Sequence, residues 1–474
     1  MLYALDHFAG GGLWLVRLLF TRGLAAIYLL AFLSAWNQFP ALLGERGLLP
    51  VPEFLARVRF RDAPSLFHWR YSDRLLQSVA AAGALLAALT LAGATERLPL
   101  AGGIAVWLVM WALYLSIVNV GQTFYAFGWE SMLCEAGFFA AFLGPRGLAP
   151  PAIVILILRW MLFRTELGAG LIKLRGDPCW RDLTCLYYHY ETQPLPNPLS
   201  RLFHRFPKPF QRFSVFYSHV VQLVAPFGLF APQPVASIAA ALLISQQLLL
   251  IVSGNYAWLN WLTVVLGVTG FSFPFAAATM PRPLAYDWLL YGLAALIIAL
   301  SVQPALNFFS RRQMMNYSWN RWHLVNAYGA FGSITKERYE VVIEGSNDGD
   351  KWKEYEFKAK PGDVTRRSPQ VAPYHLRLDW LMWFLPFSVM VARDRIFVQG
   401  YEPWFIRFVQ KLLEGDAQTL KLLRHNPFPG APPKFLRAGF YRYEFGYDKV
   451  QWLRTRIDDY LPMVSMRAMS SSDS

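Results

Sequence analysis

The apolar residues of this chain come in blocks, and that clustering limits what it can fold into more than any other feature. The windows Leu75–Ala94, Ala101–Ile117, Val235–Val252, Trp258–Phe275 and Trp288–Leu300 contain no charged residue, and Ile153–Met161 runs on into a longer helix-like stretch. An apolar helix needs about 20 residues to cross roughly 30 Å of hydrocarbon. A water-soluble helix or strand instead spaces its apolar residues at a period of 3.6 or 2. Composition agrees with a membrane reading: 55% of the 474 residues are hydrophobic and 16% charged. Mean hydropathy is +0.28. Three further windows, Val16–Phe32, Glu130–Leu143 and Phe213–Phe230, carry charge, histidine or proline, so they read as tilted, short or buried crossings.

These windows predict a mainly α membrane protein, a polytopic bundle of eight or nine transmembrane helices at residues 1–310. Met1–Leu15 has no basic leader and no small-residue cleavage site, so it does not read as a removable signal peptide. Long polar insertions are expected at 37–74, with the turn-like Gly44-Glu-Arg-Gly, and at 173–212, rich in Pro, His, Tyr and charge. Residues 311–474 read as a separate extramembrane domain, α+β or β-sandwich-like. Apolar runs flank the Asn347-Asp-Gly-Asp turn as in a hairpin. Phe405–Leu413 and Ala417–Leu423 look helical, and the tail Ser470–Ser474 looks disordered. The hairpin with Gly345-Ser and Trp352 resembles a ligand-presenting discoidin-like sandwich faintly; a plain scaffold sheet is the preferred reading.

The net charge of +14 is expected from basic loops beside anionic headgroups, with the lipid bilayer as the partner. No zinc-finger spacing or basic helix points to nucleic acid. An Arg-, Ala- and Leu-rich composition suits a GC-rich bacterial source. Nine crossings would place both polar insertions and the C-terminal domain on the more basic side, cytoplasmic by the positive-inside rule.

Intramembrane charge marks the candidate site residues Glu130, Glu135, Arg159, Arg164, Glu166 and Lys173, because charge at that depth must pair or face a polar cavity. Glu166 and Lys173 are seven apart on one helical face, with Arg159 beside them. A structural ion-pair ladder and a ligand-meeting cavity wall both fit. In the following loop Asp177, Arg181, Asp182, His189, Tyr190, Glu191, Gln193 and His204 surround Pro194, Pro196 and Pro198. His189 and Glu191 would be a proton-transfer pair if they converged on a cleft; the plainer reading is that both satisfy loop backbone. Cys134, in an apolar helix, reads as a small core residue. Cys179 and Cys185 are open to a structural disulfide, free thiols or redox exchange, and lack the Cys-x-x-Cys spacing. A disulfide would place the loop in an oxidising compartment, against the charge rule.

The chain carries no Gly-Lys-Ser/Thr phosphate loop, no Gly-x-Ser-x-Gly elbow and no His-Glu-x-x-His. Neither a cofactor nor a metal is expected: His189, His204 and His219 stand at intervals of fifteen, which is no ligand spacing. An enzymatic role is not favoured.

The stretch from Arg159 to His204 resembles the lipase maturation factor family. Matching blocks run through Gly44–Pro50, Asn119-Val-Gly-Gln to Phe127-Gly-Trp-Glu-Ser, Val252-Ser-Gly-Asn and Leu259-Asn-Trp-Leu-Thr. Others are Tyr328-Gly-Ala-Phe-Gly-Ser-Ile-Thr-Lys-Glu-Arg, Tyr374-His with Arg377-Leu-Asp-Trp-Leu-Met-Trp-Phe, and His425-Asn-Pro-Phe. The resemblance implies a multi-pass protein of the endoplasmic reticulum, or of a bacterial inner membrane, that helps secreted dimeric lipases or other clients reach an active fold. Such members have been viewed as lipase chaperones or redox factors, and that lumenal role favours a Cys179–Cys185 disulfide. A fainter likeness to the vitamin K-dependent carboxylase membrane fold implies the alternative, a membrane enzyme or lipid-handling protein. Its polar cavity would lie between Glu130, Glu166, Lys173 and His189.

Overall fold

A computed structural model of the chain describes residues 12–274, 279–392 and 395–470. The leader reading for Met1–Leu15 falls mostly outside the described residues, as do the end of the Trp258–Phe275 window and the disordered-tail reading.

The membrane part is built from α1 (Leu13–Leu43), α2 (Asp73–Ala92), α3 (Leu100–Val120), α4 (Gly128–Ala140) and α5 (Ala152–Arg175), followed by α6 (Leu186–Thr192), α7 (Lys208–Leu223), α8 (Val235–Ser253), α9 (Leu259–Gly267) and α10 (Leu284–Phe309). Local signals set the ends. The Ser72 hydroxyl caps α2 by accepting from the Leu75 N–H, and Gly93 closes the helix in the left-handed region at φ 85°. Among the described residues five helices, α1, α2, α3, α8 and α10, are long and apolar enough to cross a membrane.

Several boundaries differ from expectation. Val16–Phe32 was a weak window, yet α1 is the longest helix at 31 residues. It absorbs Asn37–Leu43, read as loop, because Ser34 and Gln38 are satisfied by the C-terminal part of the chain. Trp258–Phe275 yields only nine residues of α-helix and a single further turn to Gly270, about 18 Å at 1.5 Å per residue. The 173–212 insertion is mostly short helices, at 178–181, 186–192 and 200–204, and α7 begins inside it.

Strands β1 (Arg338–Ser346), β2 (Lys353–Glu354), β5 (Phe435–Phe445) and β6 (Trp452–Val464) form an antiparallel sheet in the order β2-β1-β5-β6. A hairpin of β3 (Val389–Ala392) and β4 (Arg395–Val398) stands apart. With one broad sheet plus α11 (Arg377–Met382) and α12 (Pro403–Glu414), this part is α+β rather than a two-sheet sandwich. The β1–β2 turn forms because Ser346 and Asp348 side chains accept from the backbone N–H groups of 348–351.

The sheet-bearing part packs directly against the helices. Arg377 of α11 is fully buried and donates to Glu130 of α4 at 2.7 Å and to the Phe124 carbonyl at 2.7 Å. Its guanidinium carbon lies 3.4 Å from the Tyr125 ring centroid. The Tyr114 hydroxyl also donates to Glu130. His375 sits against Trp129, Trp258 and Phe127. Burial holds its imidazolium pKa down to about 4, although the nearby Glu130 carboxylate pulls upward. Burying a charge costs several kcal/mol unless it is paired and hydrogen-bonded, so Glu130 and Arg377 hold each other in place across the junction.

Candidate functional site

Helix α5 packs inside the bundle, and most of its residues are buried, every one from Met161 to Gly170 among them. Its charges do not form a ladder. Arg159 donates to the carbonyls of Thr269 at 2.7 Å and Leu229 at 3.1 Å. Arg164 pairs with Glu135 of α4 and donates to the Asn326 carbonyl at 2.6 Å. Glu135 also accepts from the Asn326 N–H, the Asn326 amide and the Tyr328 hydroxyl. That hub presses the 326–332 segment onto α5, and glycines permit the approach: a Cβ on Gly168 would lie 2.2 Å from the Tyr328 oxygen, and one on Gly176 2.0 Å from the Gly332 oxygen.

Below that segment lies a cavity of about 720 Å³, bounded by α5, α7, α8, α9, the 328–335 segment and the aromatic run from Trp380 to Phe387. Ligand sites commonly occupy 300–1,000 Å³. Glu166 and Lys173 both line it, but they do not touch. Gln222 of α7 bridges them, accepting from Lys173 Nζ at 2.7 Å and donating to Glu166 Oε2 at 3.0 Å. Gln247 of α8 donates to Glu166 Oε1 at 2.7 Å and accepts from Asn260 at 2.8 Å. Lys173 Nζ also reaches the Ser218 hydroxyl at 3.4 Å and lies 4.9 Å from the Trp180 ring centroid.

This wall makes α7 and α8 inside-out. Helix α7 exposes Phe210, Phe213, Phe216 and Val220 and buries Gln211, Ser218 and Gln222. Helix α8 exposes Val235, Ile238, Leu249 and Val252 and buries Gln246 and Gln247. In lipid that polarity is the stable one, with apolar side chains outward and polar groups paired inside.

The loop residues separate. His189 lines the cavity, and its Nε2 lies 2.9 Å from the Tyr256 hydroxyl, which donates to Gln193 at 2.5 Å. Burial first, and the Lys173 charge second, push the His189 pKa down to about 3, so its ring is neutral. Gln193, also on the cavity, donates to the Tyr190 and Ser253 carbonyls and to the Ser200 hydroxyl. Glu191 turns the other way and accepts from the Phe445 N–H at 2.5 Å. The His189–Glu191 proton pair therefore does not form, and the loop-satisfying reading describes Glu191. Asp177 caps the Cys179 N–H at 2.9 Å, Arg181 donates to the Leu174 carbonyl, and Asp182 is exposed. Tyr190 lines the cavity, and His204 packs against Phe445 with ring centroids 5.3 Å apart. Of the four residues expected around a cavity, Glu166, Lys173 and His189 share it and Glu130 does not. Among the described residues no group of three His, Cys, Asp or Glu converges as a metal site.

Cys179 and Cys185 are bonded, with Cα atoms 4.7 Å apart, and Cys134 is a buried free thiol. Trp180, inside the ring, donates its indole N–H to the Phe331 carbonyl at 2.8 Å. Loop-closure entropy for so short a ring contributes about 2 kcal/mol. Cys185→Ser is expected to lower the unfolding free energy by that amount and to speed protease cleavage between 176 and 192; unchanged cleavage would refute the bond's role.

Sequence reasoning missed Gln222, Gln246, Gln247, Asn260 and Arg338. The signal was present for Gln246 and Gln247, as adjacent amides inside an otherwise apolar span. Arg338 of β1 gave none, yet it grips the Pro-rich loop through the carbonyls of Glu191, Gln193 and Pro194 and pairs with Glu340. Asn255 likewise ties Pro196 to the backbone of 369–372.

Comparison with known proteins reaches the whole chain. Residues 15–276 match the family described as lipase maturation factor transmembrane domain, and 324–462 match the lipase maturation factor C-terminal domain. Human lipase maturation factor 1 is 40% identical over 98% of this chain and 90% of its own length. The Bos taurus protein is 39% identical over 96% and 90%. Lipase maturation factor 2 of Xenopus laevis is 28% identical over 95% and 82%. No solved structure matches the chain. A bundle with buried charge inside it, a C-terminal sheet locked onto it and these end-to-end matches lead to one assignment: the chain is a multi-pass membrane protein that belongs to the lipase maturation factor family.

Proposed function

We propose that the chain is a membrane-embedded maturation factor that assists folding and assembly of secreted lipases. The observation that carries this reading is the 40% identity to human lipase maturation factor 1 across 98% of the chain, which includes the polar loop, the cavity wall and the sheet.

The expected eight or nine crossings are read here as nine: α1 to α5 and α7 to α10. Helix α5 has 24 residues, about 36 Å, and α7 with its continuation to Gly228 presents an apolar outer stripe. Contacts between loops support the count. Gln38 meets His375, Glu53 meets Arg407, Asn119 meets Arg321 and the 191–194 carbonyls meet Arg338, all on one face. At the other ends Arg17 meets Arg146 and Leu148, Ala149 meets Met280 and Gln233 meets Gly270. Residues 1–310 then form the membrane part and 311–474 an extramembrane part seated on it.

The disulfide favours an oxidising compartment for that face, the endoplasmic reticulum lumen in a eukaryote or the periplasm for a bacterial inner membrane. The contrary charge argument weakens for long loops and folded domains.

In cells whose own lipase maturation factor has been deleted, this chain is expected to restore secretion of active dimeric lipase. Full membrane insertion without restored lipase activity would overturn the reading.

A further inference from the structure

The cavity has a composition that client binding does not explain. Its walls combine Trp129, Trp180, Trp380, Trp383, Phe384 and Phe387 with polar side chains, among which Glu166 and Lys173 on α5 are the acid and the amine. Phe210 of α7 and Leu249 of α8 line it and remain about half exposed, 48% and 46% respectively, so the cavity is open beside these two helices. In the nine-crossing reading both helices stand in the membrane, where the medium outside them is lipid.

The charges in the wall are unequal. Both oxygens of Glu166 accept from side-chain amides. Lys173 is buried and has no carboxylate within 4 Å among the described residues. Its ammonium carries three N–H donors. One is engaged by Gln222, a second reaches Ser218 at 3.4 Å, and no further hydrogen bond is made among the described residues, although the ammonium also faces the Trp180 ring. A buried cation of this kind favours an anion that can also accept a hydrogen bond, since such charge-assisted bonds are about twice as strong as neutral ones. Repulsion from Glu166 is limited by the two amides that donate to its oxygens, one of which, Gln222, stands between it and Lys173.

We propose that this cavity binds a long-chain amphiphile with an anionic head, taken from the bilayer between α7 and α8. Its apolar chain lies against the aromatic wall, and its head accepts from Lys173 Nζ. A fatty carboxylate and the phosphate of an anionic phospholipid share this chemistry. The site stands on the cavity geometry, independently of which proteins the chain helps to mature.

The test uses the full chain in phosphatidylcholine nanodiscs and a photoactivatable palmitic acid, with palmitate, phosphatidylglycerol or uncharged hexadecanol as competitor. Saturable labelling is expected in the peptides covering 165–176, 246–260 and 380–387. Whichever anionic competitor displaces the probe identifies the source of the head group. Lys173→Gln is expected to weaken that competitor by about ten- to a hundredfold and to leave hexadecanol unchanged. Ala169→Phe, which fills the cavity, should remove labelling altogether. Should either variant fail to fold, label mapping on the wild-type chain still decides the matter. The proposal is overturned by label confined to the outward faces of α8 and α10, by failure of both anionic competitors, or by equal palmitate competition in wild type and Lys173→Gln.

Discussion

Arg377→Leu is expected to cost the folded protein about 3–5 kcal/mol, the range for removing one partner of a buried ion pair. In this variant Glu130 keeps the Tyr114 hydroxyl and a His375 nitrogen 3.9 Å away, but loses its cation at zero exposure. Glu130→Leu should cost a similar amount by stranding the guanidinium. The double variant should lose clearly less than the sum, because no lone charge then remains to be desolvated. Thermal unfolding in detergent, followed by tryptophan fluorescence, measures all three. Additive losses would show that the pair does not couple the helices to the C-terminal part. Deleting 311–474 is a poorer probe, since it takes Arg377 from Glu130 and Asn326 and Tyr328 from Glu135 at once.

The second large effect is at Glu135. Glu135→Gln keeps the shape but offers an amide N–H to a cluster of donors: Arg164, the Asn326 backbone and amide, and the Tyr328 hydroxyl. A loss of about 3–5 kcal/mol is expected, with faster proteolysis across 311–332, where the segment leaves α5. A control is built in. Glu53 pairs with Arg407 at 2.9 Å on the surface, with both side chains more than a third exposed, so Glu53→Gln should change stability by less than about 1 kcal/mol. Equal effects at Glu53 and Glu135 would defeat the argument that burial gives the hub its strength.

These two predictions show why the polar membrane residues were legible only in part. Glu130, Glu135, Arg164, Glu166 and Lys173 stand out in sequence because charge in an apolar window is costly, and the structure buries every one of them. Their partners are not local. Arg377 is 247 positions from Glu130, Asn326 is 191 from Glu135, and Gln222 is 56 from Glu166. Helical spacing placed Glu166 and Lys173 on one face, and from that face alone an ion-pair ladder was the preferred reading over a cavity wall. In the fold a glutamine from α7 stands between the two side chains. The His189–Glu191 pair failed for a related reason: two residues apart on a short helix, their side chains face different neighbours.

The apolar blocks by themselves determined that this chain spans a membrane many times, because no water-soluble core needs uncharged runs of that length. The Asn347-Asp-Gly-Asp turn located the hairpin, and the polar insertion at 173–212 lies in the stretch from Arg159 to His204 that carries the family resemblance. What only the tertiary structure decided is that the last third is clamped into the mouth of the bundle. It also showed that α5 and α7, which are not among the five helices marked by length and hydropathy, line the cavity beside the apolar α8 and α9. Hydropathy averages over a helix and cannot see which way a side chain faces. A glutamine on the inner side of α7 counts against a membrane span in the average, and in the fold it is the group that makes the span workable.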